Sequence, residues 1–430
     1  MKAFLLVAII ILLTAGSLFF LSQTNNIRES PQDSISSNLS NTKEVKGSSS
    51  QDSQELPPCP SETATGCRKL AKGEKSSIRG CTGEGTVNLI SPMKYEDIGM
   101  IIPMGATIGG HVTPIDHMYF QPIIFNSPPD SYDVYADADG VIVSIGLEGK
   151  PINDNPGISN YNKYRIVIYH TCYFYSIYNL ITSLSPAISE IVGEITPGST
   201  KEPLIKIKKG DLLGRIGGQT LDLSVNYDKV ILPGFLEPKS YEGEPWKIHT
   251  VDPFDYWSPE VREKLMEKNI RTVPPYGGKI DYDKEGRLVG NWFVENTNGY
   301  RGINPSAYWD THLSFVYNEI DPPFIILSLG NFGGEAKQFA VKGNIPDPAD
   351  VELSTGLVKY ELVDFYYTSN GQMWDRMSMT KNAEAVASDQ IKGTVLVKLL
   401  DIRKIEFEVF PDKSASEVQG FTSNSKVYTR

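Results

Sequence analysis

The sequence predicts a mainly β protein: an antiparallel β-sheet domain followed by a second β-rich domain, after one N-terminal transmembrane or signal helix. Three observations predict this organisation. Strand-like runs with Gly-rich turns at short intervals continue from about residue 88 to the C-terminus. The 430 residues suffice for two domains with full cores. An uncharged apolar run of about 19 residues directly follows Lys2.

Residues 1–22 are expected to be a signal anchor or a cleaved signal peptide. The run AFLLVAIIILLTAGSLFFL is close to the length that a helix needs to cross a bilayer. Small residues suited to cleavage occur at Ala15, Gly16 and Ser17, but the apolar run continues beyond them to Leu21. The rest of the chain is therefore expected on the extracytoplasmic side of the cell membrane, or secreted if the segment is cleaved.

The next segments differ sharply in composition. Residues 23–58 are rich in Ser, Asn and Gln and nearly lack apolar side chains, which predicts a disordered tether. Residues 59–98 form a cysteine-containing lead-in. The four cysteines are Cys59, Cys67, Cys81 and Cys172. Outside the cytoplasm they are expected to form disulfides, in any of three pairings, and the absence of a CxxC pair argues against a zinc site.

The net charge of -11 argues against a nucleic-acid partner. Acidic residues are spread along the chain rather than gathered in blocks. A phosphate-binding surface needs clustered Lys and Arg side chains to release counterions. We therefore expect no binding to nucleic acid.

The first predicted domain spans residues 99–258 and reads as a succession of strands. In YADADGVIVSIGL, a turn at Asp139-Gly140 is followed by alternating apolar residues. The run YRIVIYHTCYFYSIYNLI predicts two strands joined at residues 170–172. Two further short strands are expected in IKIKKGDLLGRIGGQTLDLSV, separated by glycines.

A short helix and a Pro/Gly linker, residues 259–276, are expected to separate the two domains. Ser258 can cap the helix, Pro259 suits its first position and Glu260 lies near its positive end. The stretch VPPYGG then breaks the chain. Residues 277–430 are predicted to be a second β-rich domain, with strand-like runs such as FIILSLG, GLVKYELVDFYY and KIEFEVF. This second domain resembles no family that we can name.

Four stretches of the first domain, in this order, resemble the lysostaphin/LytM-type (M23) metallopeptidase family. They are GGHVTPIDHMYF, VYADADGVIVSIG, YRIVIYHTCYFYSIYNLITSLSP and IKIKKGDLLGRIGGQTLDLSV. The first resembles the family's H-x-x-x-D motif, and the third its segment ending in Y-x-H-L. The last resembles its G-x-x-I-G-x-x-G-x-T segment leading to H-x-H. The resemblance covers roughly residues 99–258 and implies a degenerate member of the family.

The resemblance implies a candidate set of zinc ligands. In the family, the first-motif His, its Asp and the last His of H-x-H hold the zinc and leave one position for water. Asp116 stands where the family has its Asp, and His111 precedes it by five positions rather than four. Asp222 replaces the last His, and His117 is a further candidate. The candidate metal ligands are therefore His111, Asp116 and Asp222, with His117 as a substitute.

The family's two catalytic histidines are replaced in this chain. Asn179 occupies the position of the histidine in Y-x-H-L, and Thr220 the first position of H-x-H. An amide can donate a hydrogen bond to an oxyanion, but neither side chain exchanges a proton near neutral pH. The resemblance therefore assigns no catalytic residue in this chain and predicts that peptidase activity has been lost.

Two hypotheses follow for the function. The first is a non-catalytic pseudoenzyme that needs no cofactor and binds a peptide, glycan or protein partner at the cell surface. The alternative is a zinc-dependent metallopeptidase or hydrolase with a rearranged site, which placement of His111 and Asp222 on opposite sides of the domain would exclude. If Asp116 and His117 lie in a strand, they point to opposite faces and are not expected to share one metal.

Overall fold

The computed structural model describes residues 81–148 and 161–430 and shows a mainly β protein, which confirms the predicted class. The predicted N-terminal helix, the tether, Cys59 and Cys67 lie outside the described residues. Among the residues described, no helix is both long and apolar enough to span a bilayer.

The first half contains twelve strands. They are β1 (Ile98–Ile102), β2 (Met118–Pro122), β3 (Tyr132–Tyr135), β4 (Gly140–Leu147), β5 (Tyr164–Tyr169), β6 (Phe174–Ile181), β7 (Ser183–Leu184), β8 (Ser199–Lys201), β9 (Ile205–Ile207), β10 (Leu212–Ile216), β11 (Leu221–Tyr227) and β12 (Thr250–Val251). The large antiparallel sheet has the order β1-β2-β11-β6-β5-β4-β8, with β12 paired to β11 and β9 to β4. A small sheet has the order β3-β10-β7.

Strand β11 lies in the middle of the large sheet and shows how its two faces differ. Leu221, Leu223 and Val225 alternate along the strand and belong to the main hydrophobic core on one face. Asp222, Ser224 and Asn226, which alternate with these residues, point to the opposite face because side chains alternate along a strand. The candidate site lies on this polar face.

The helices are few and short. Helix α1 (Pro186–Val192) is capped by Ser185, whose hydroxyl accepts a hydrogen bond from the Ile188 N–H at 3.4 Å. Helix α2 (Pro259–Lys268) begins at the predicted residue, but the Ser258 side chain makes no capping hydrogen bond, contrary to expectation. The 3-10 turns are Tyr95–Asp97, Pro238–Tyr241, Pro245–His249, Pro253–Asp255, Gly299–Arg301, Pro305–Thr311, Lys342–Asn344 and Leu353–Thr355.

The second half forms one sheet that closes on itself. Its strands are β13 (Gly290–Val294), β14 (His312–Tyr317), β15 (Ile325–Phe332), β16 (Glu335–Val341), β17 (Val358–Ser369), β18 (Gln372–Met373), β19 (Ala383–Asp401), β20 (Lys404–Pro411) and β21 (Lys426–Thr429). Their order is β16-β15-β14-β13-β21-β20-β19-β17-β18, and an additional β16–β17 pairing closes the ring of strands. Large buried side chains fill its interior, among them Trp292, Phe315 and Tyr360.

The second sheet packs against the edge of the first sheet at β1 and β2. Met100 belongs to a buried cluster with Tyr367 and Trp374. Beside this cluster, the Gln121 side-chain amide donates a hydrogen bond to the Met377 carbonyl at 2.9 Å. This contact brings the second half of the chain next to β2, the strand that directly follows the candidate site.

A disulfide joins the start of the described chain to the β5–β6 turn. Cys81 and Cys172 form this bond, with their Cα atoms 5.0 Å apart. Both side chains are buried against the large sheet, in a cluster that includes Val167, Tyr175 and Ile177. The start of the described chain is thereby fixed on the face of the sheet opposite the main core.

Candidate functional site

The candidate site lies where β2, β11 and β6 run side by side. Asp222 on β11 is paired in register with Tyr119 on β2 and with Asn179 on β6. Residues paired in this way project from the same face of a sheet. Thr220, two positions before Asp222, shares that face, and its hydroxyl donates a hydrogen bond to Asp222 Oδ1 at 2.8 Å. The sequence-predicted positions 179, 220 and 222 are therefore neighbours.

His117 links the two carboxylates of the site. Its Nδ1 lies 3.1 Å from Asp116 Oδ1, and its Nε2 lies 3.4 Å from Asp222 Oδ2. The Tyr119 ring packs edge-on against the imidazole, with 5.0 Å between ring centroids. A carboxylate can only accept hydrogen bonds, so this geometry favours an imidazole that donates from both nitrogens and is positively charged.

The expectation that Asp116 and His117 point to opposite faces is wrong. Both residues lie in a bend just before β2, which begins at Met118, so the alternation of side chains along a strand does not apply to them. Their side chains instead contact each other directly. The expectation depended on both residues lying in a strand, whereas the strand begins only at Met118.

His111 lies on the same side of the domain as Asp222. Its ring centroid is 6.2 Å from that of His117, with the rings nearly perpendicular, and His117 in turn contacts Asp222. The placement that would have excluded the rearranged metal site is therefore not observed. All four candidate ligands gather within one small region.

Lys247, which was not predicted from the sequence, adds a positive charge near Asp116. Lys247 is 2% exposed, and its ammonium group donates a hydrogen bond to the Pro114 carbonyl at 2.6 Å. Burial acts to raise the pKa of Asp116, but the charges of Lys247 and His117 outweigh it and hold that pKa below its usual range. Lys247 could not be predicted from the sequence. It belongs to no motif, and its separation from Asp116 along the chain matches no known pattern.

The centre of the site is buried, whereas His111, Asn179 and Thr220 at its margin are partly exposed. Asp116, His117 and Asp222 are 7%, 9% and 6% exposed. Part of the cover comes from the second half of the chain, since the Tyr300 ring lies 5.5 Å from the Lys247 ammonium group. Two carboxylates buried this deeply need compensating positive charge, which His117 and Lys247 supply.

The polar face beside the site is filled by the chain itself. Trp246 packs on the cluster around the disulfide, and the Arg165 guanidinium lies 4.5 Å from its ring centroid. The Thr250 hydroxyl donates to Asn226 Oδ1 at 2.9 Å and so joins this segment to β11. The segment 246–250 therefore covers part of the face on which Asp222 and Asn179 lie.

In the described structure, the candidate ligands are not arranged around one point as the ligands of a zinc ion are. A zinc site needs three or four ligand atoms that converge on one point at about 2 Å. Here the carboxylates of Asp116 and Asp222 are directed at the two nitrogens of His117, and the imidazole lies between them. Among residues 81–148 and 161–430, no group of three or more His, Cys, Asp or Glu side chains is arranged to hold a metal ion.

A second His–Asp pair, whose side chains are wholly buried, joins His170 of the β5–β6 turn to Asp137 of the β3–β4 turn. His170 Nε2 lies 3.1 Å from Asp137 Oδ1 and 3.0 Å from the Ser176 hydroxyl, and its Nδ1 lies 3.0 Å from the Asp139 carbonyl. Burial would lower the pKa of His170, but the Asp137 charge outweighs this and raises it. The pair is inaccessible to a ligand and stabilises the strand packing.

Comparison with known proteins gives little further guidance. No family model and no curated protein matches this chain. Among solved structures, the chain is similar to Helicobacter pylori Csd3 in an orthorhombic crystal, with 16% identity and a TM-score of 0.22. The match covers 43% of this chain and 40% of that chain, so it spans less than half of either protein.

Proposed function

We propose that this chain is a non-catalytic, membrane-tethered extracytoplasmic protein that holds a peptide, glycan or protein partner at the cell surface through a degenerate M23-like region. The bridge from Asp116 through His117 to Asp222 carries the proposal. A metallopeptidase of this type needs a cation with one open coordination position for water. In this chain a side chain occupies the space between the two carboxylates.

The residues at the two catalytic positions support the same conclusion. The Thr220 hydroxyl donates to Asp222, and Asn179 lies opposite Asp222 across the β11–β6 pair. Both lie where the resemblance expects the acid-base histidines. Neither an amide nor an alcohol side chain can take a proton from water near neutral pH and return it to a leaving group.

The proposed location is supported by the sequence and by the cysteines. The apolar N-terminal run and the polar tether after it are typical of a protein anchored in the cell membrane. The Cys81–Cys172 disulfide is in keeping with an oxidising compartment outside the cytoplasm. Because the candidate site is buried, we propose that the partner binds to the more exposed surface around it.

One observation favours the alternative, a zinc-dependent metallopeptidase. Asp116 Oδ2 is buried and has no hydrogen-bond partner among the described residues, so it is an available ligand atom. For this alternative, His117 must leave its place between the carboxylates and His111 must turn towards Asp116. A proton-transferring group would also have to replace the two missing histidines.

A hydrolysis assay distinguishes the two functions. Purified protein is incubated with added Zn²⁺ and a mixed library of unstructured peptides, and new termini are detected by mass spectrometry. We expect no cleavage above that of an Asp222→Ala variant. Cleavage by the wild type that disappears in Asp222→Ala would establish the alternative instead.

A further inference from the structure

The loop that carries His111 begins with a tight turn. The N–H of His111 donates to the Ile108 carbonyl at 2.9 Å, and the N–H of Ile108 donates to the His111 carbonyl at 3.1 Å. Gly109 and Gly110 form the tip, and Gly109 has a φ of 51°, a left-handed conformation that suits glycine. The position of His111 therefore depends on how this turn is held.

A glutamine of the second sheet holds the tip from outside. Gln338 on β16 accepts a hydrogen bond from the Gly109 N–H at 2.9 Å and donates one to the Gly109 carbonyl at 3.0 Å. The same side-chain amide lies 3.2 Å from the hydroxyl of Ser328, its partner in register on β15. A paired strand thus orients the amide that satisfies both backbone groups of Gly109.

A tryptophan of the second half fits against the other glycine of the tip. A Cβ atom placed on Gly110 would lie 2.9 to 3.2 Å from three ring atoms of Trp309. Real Cβ atoms do not approach a ring so closely, so the contact requires glycine. The contact between the Lys247 ammonium group and the Tyr300 ring is a second link between the first and second halves of the chain.

We propose that the second half of the chain is a built-in lock on the first-motif turn, in which Gln338 of β16 and Trp309 of the turn before β14 are positioning residues that fix His111. The Gly109–Gly110 tip therefore packs against the C-terminal half of the same chain. Both backbone groups of Gly109 are paired and the space beside Gly110 is filled. This inference goes beyond the proposed function and holds whether or not the site binds metal.

Amide hydrogen exchange of the turn tests the lock in the full chain. In Gln338→Ala, the amides of residues 108–111 lose their external support, and we expect them to exchange on the order of tenfold faster than in the wild type. Lys337→Ala is the matched control, because Lys337 is exposed and adjacent on the same strand. Exchange elsewhere in the first sheet is expected to stay unchanged in both variants.

The Trp309 contact is tested separately by a double-mutant cycle. Trp309→Ala should accelerate exchange of the turn because the ring no longer supports it. Gly110→Ala forces a methyl group against the ring and should also accelerate exchange, but it should add no further acceleration in a Trp309→Ala background, where the ring is absent. Equal exchange of residues 108–111 in the wild type, Gln338→Ala and Gly110→Ala would overturn the lock. Unchanged exchange in Trp309→Ala, or a further acceleration when Gly110→Ala is added to Trp309→Ala, would overturn the role of Trp309.

Discussion

His117 Nε2 lies 3.4 Å from Asp222 Oδ2, so a residue of the first motif contacts a residue of the last one directly. In the family that the sequence resembles, a metal ion joins these two motifs. Here an imidazole does so, with Asp116 on its other nitrogen at 3.1 Å. In the described structure, His117 therefore links the two carboxylates that the resemblance proposes as metal ligands.

Removal of the bridging imidazole should destabilise the fold. In His117→Ala, Asp116 and Asp222 stay buried without the charge between them, which we expect to lower the free energy of unfolding by about 3 kcal/mol. Urea denaturation at neutral pH measures the change. In the double variant His117→Ala/Asp222→Asn, loss of one carboxylate should restore part of it. A change below about 0.5 kcal/mol in the single variant would show that the bridge is not a stabilising interaction.

The buried lysine is expected to be necessary for the low pKa of Asp116. Lys247→Met keeps most of the apolar side chain and removes the charge beside Asp116, so stability should fall by about 2 kcal/mol or more. A carboxylate with a lowered pKa contributes stability above its unfolded pKa near 4, and this is lost as the pH falls. The loss between about pH 5 and pH 2 should therefore be smaller in Lys247→Met than in the wild type.

Lys239→Met is the matched control for this prediction, since Lys239 is exposed in the same connection between β11 and β12. Its unfolding curve should match that of the wild type from acid to neutral pH. Identical acid profiles for Lys247→Met and the wild type would contradict the role of Lys247.

Asp228 should make the protein less stable as the pH rises towards neutrality. Burial raises the pKa of Asp228 to about 7, against a weaker opposing hydrogen bond from Tyr175. Because folding favours the neutral carboxyl group, its contribution is present below about pH 4 and is lost as the pH rises through about 7. Asp228→Asn should therefore be more stable than the wild type at pH 8, by about 2–4 kcal/mol.

Thermal and urea unfolding of the Asp228→Asn variant between pH 4 and pH 8 provide the measurement. The two proteins should converge at the acid end and diverge towards pH 8. A constant difference across this range would mean that the side chain does not titrate in the folded protein.

The Cys81–Cys172 disulfide should contribute strongly to stability. The two cysteines are 91 residues apart in sequence, so the bond closes a long loop in the unfolded chain. The double variant Cys81→Ser/Cys172→Ser is expected to lose about 3–5 kcal/mol. Unfolding of this variant in urea, with and without reductant, checks the value. Reductant should destabilise the wild type more than the variant, which keeps Cys59 and Cys67, and an equal effect on both proteins would contradict the assignment.

Local sequence patterns predicted the strands well and the connections between them poorly. The β5–β6 hairpin follows from two runs of β-branched and aromatic residues, and the start of α2 follows from Pro259. The placement of Asp116 and His117 was wrong because a bend and the first residue of a strand look alike in sequence. Such boundaries depend on the packing of the whole sheet.

The sequence predicted only those residues of the candidate site that belong to the motifs. Positions 111, 116, 117, 179, 220 and 222 were named from the sequence and are gathered in the structure. Lys247, Gln338 and Trp309 were not, because they come from distant segments and carry no spacing relative to the motifs. Only the fold brings them to the site.

We propose that the His117 imidazole takes the place of a metal ion between Asp116 and Asp222. Elemental mass spectrometry of the purified protein after incubation with Zn²⁺ and removal of free metal tests it most directly. His111→Ala and Asp222→Ala are measured beside the wild type. We predict no stoichiometric zinc in any of the three proteins. About one zinc per chain in the wild type, lost in both variants, would contradict the account and establish a metal centre.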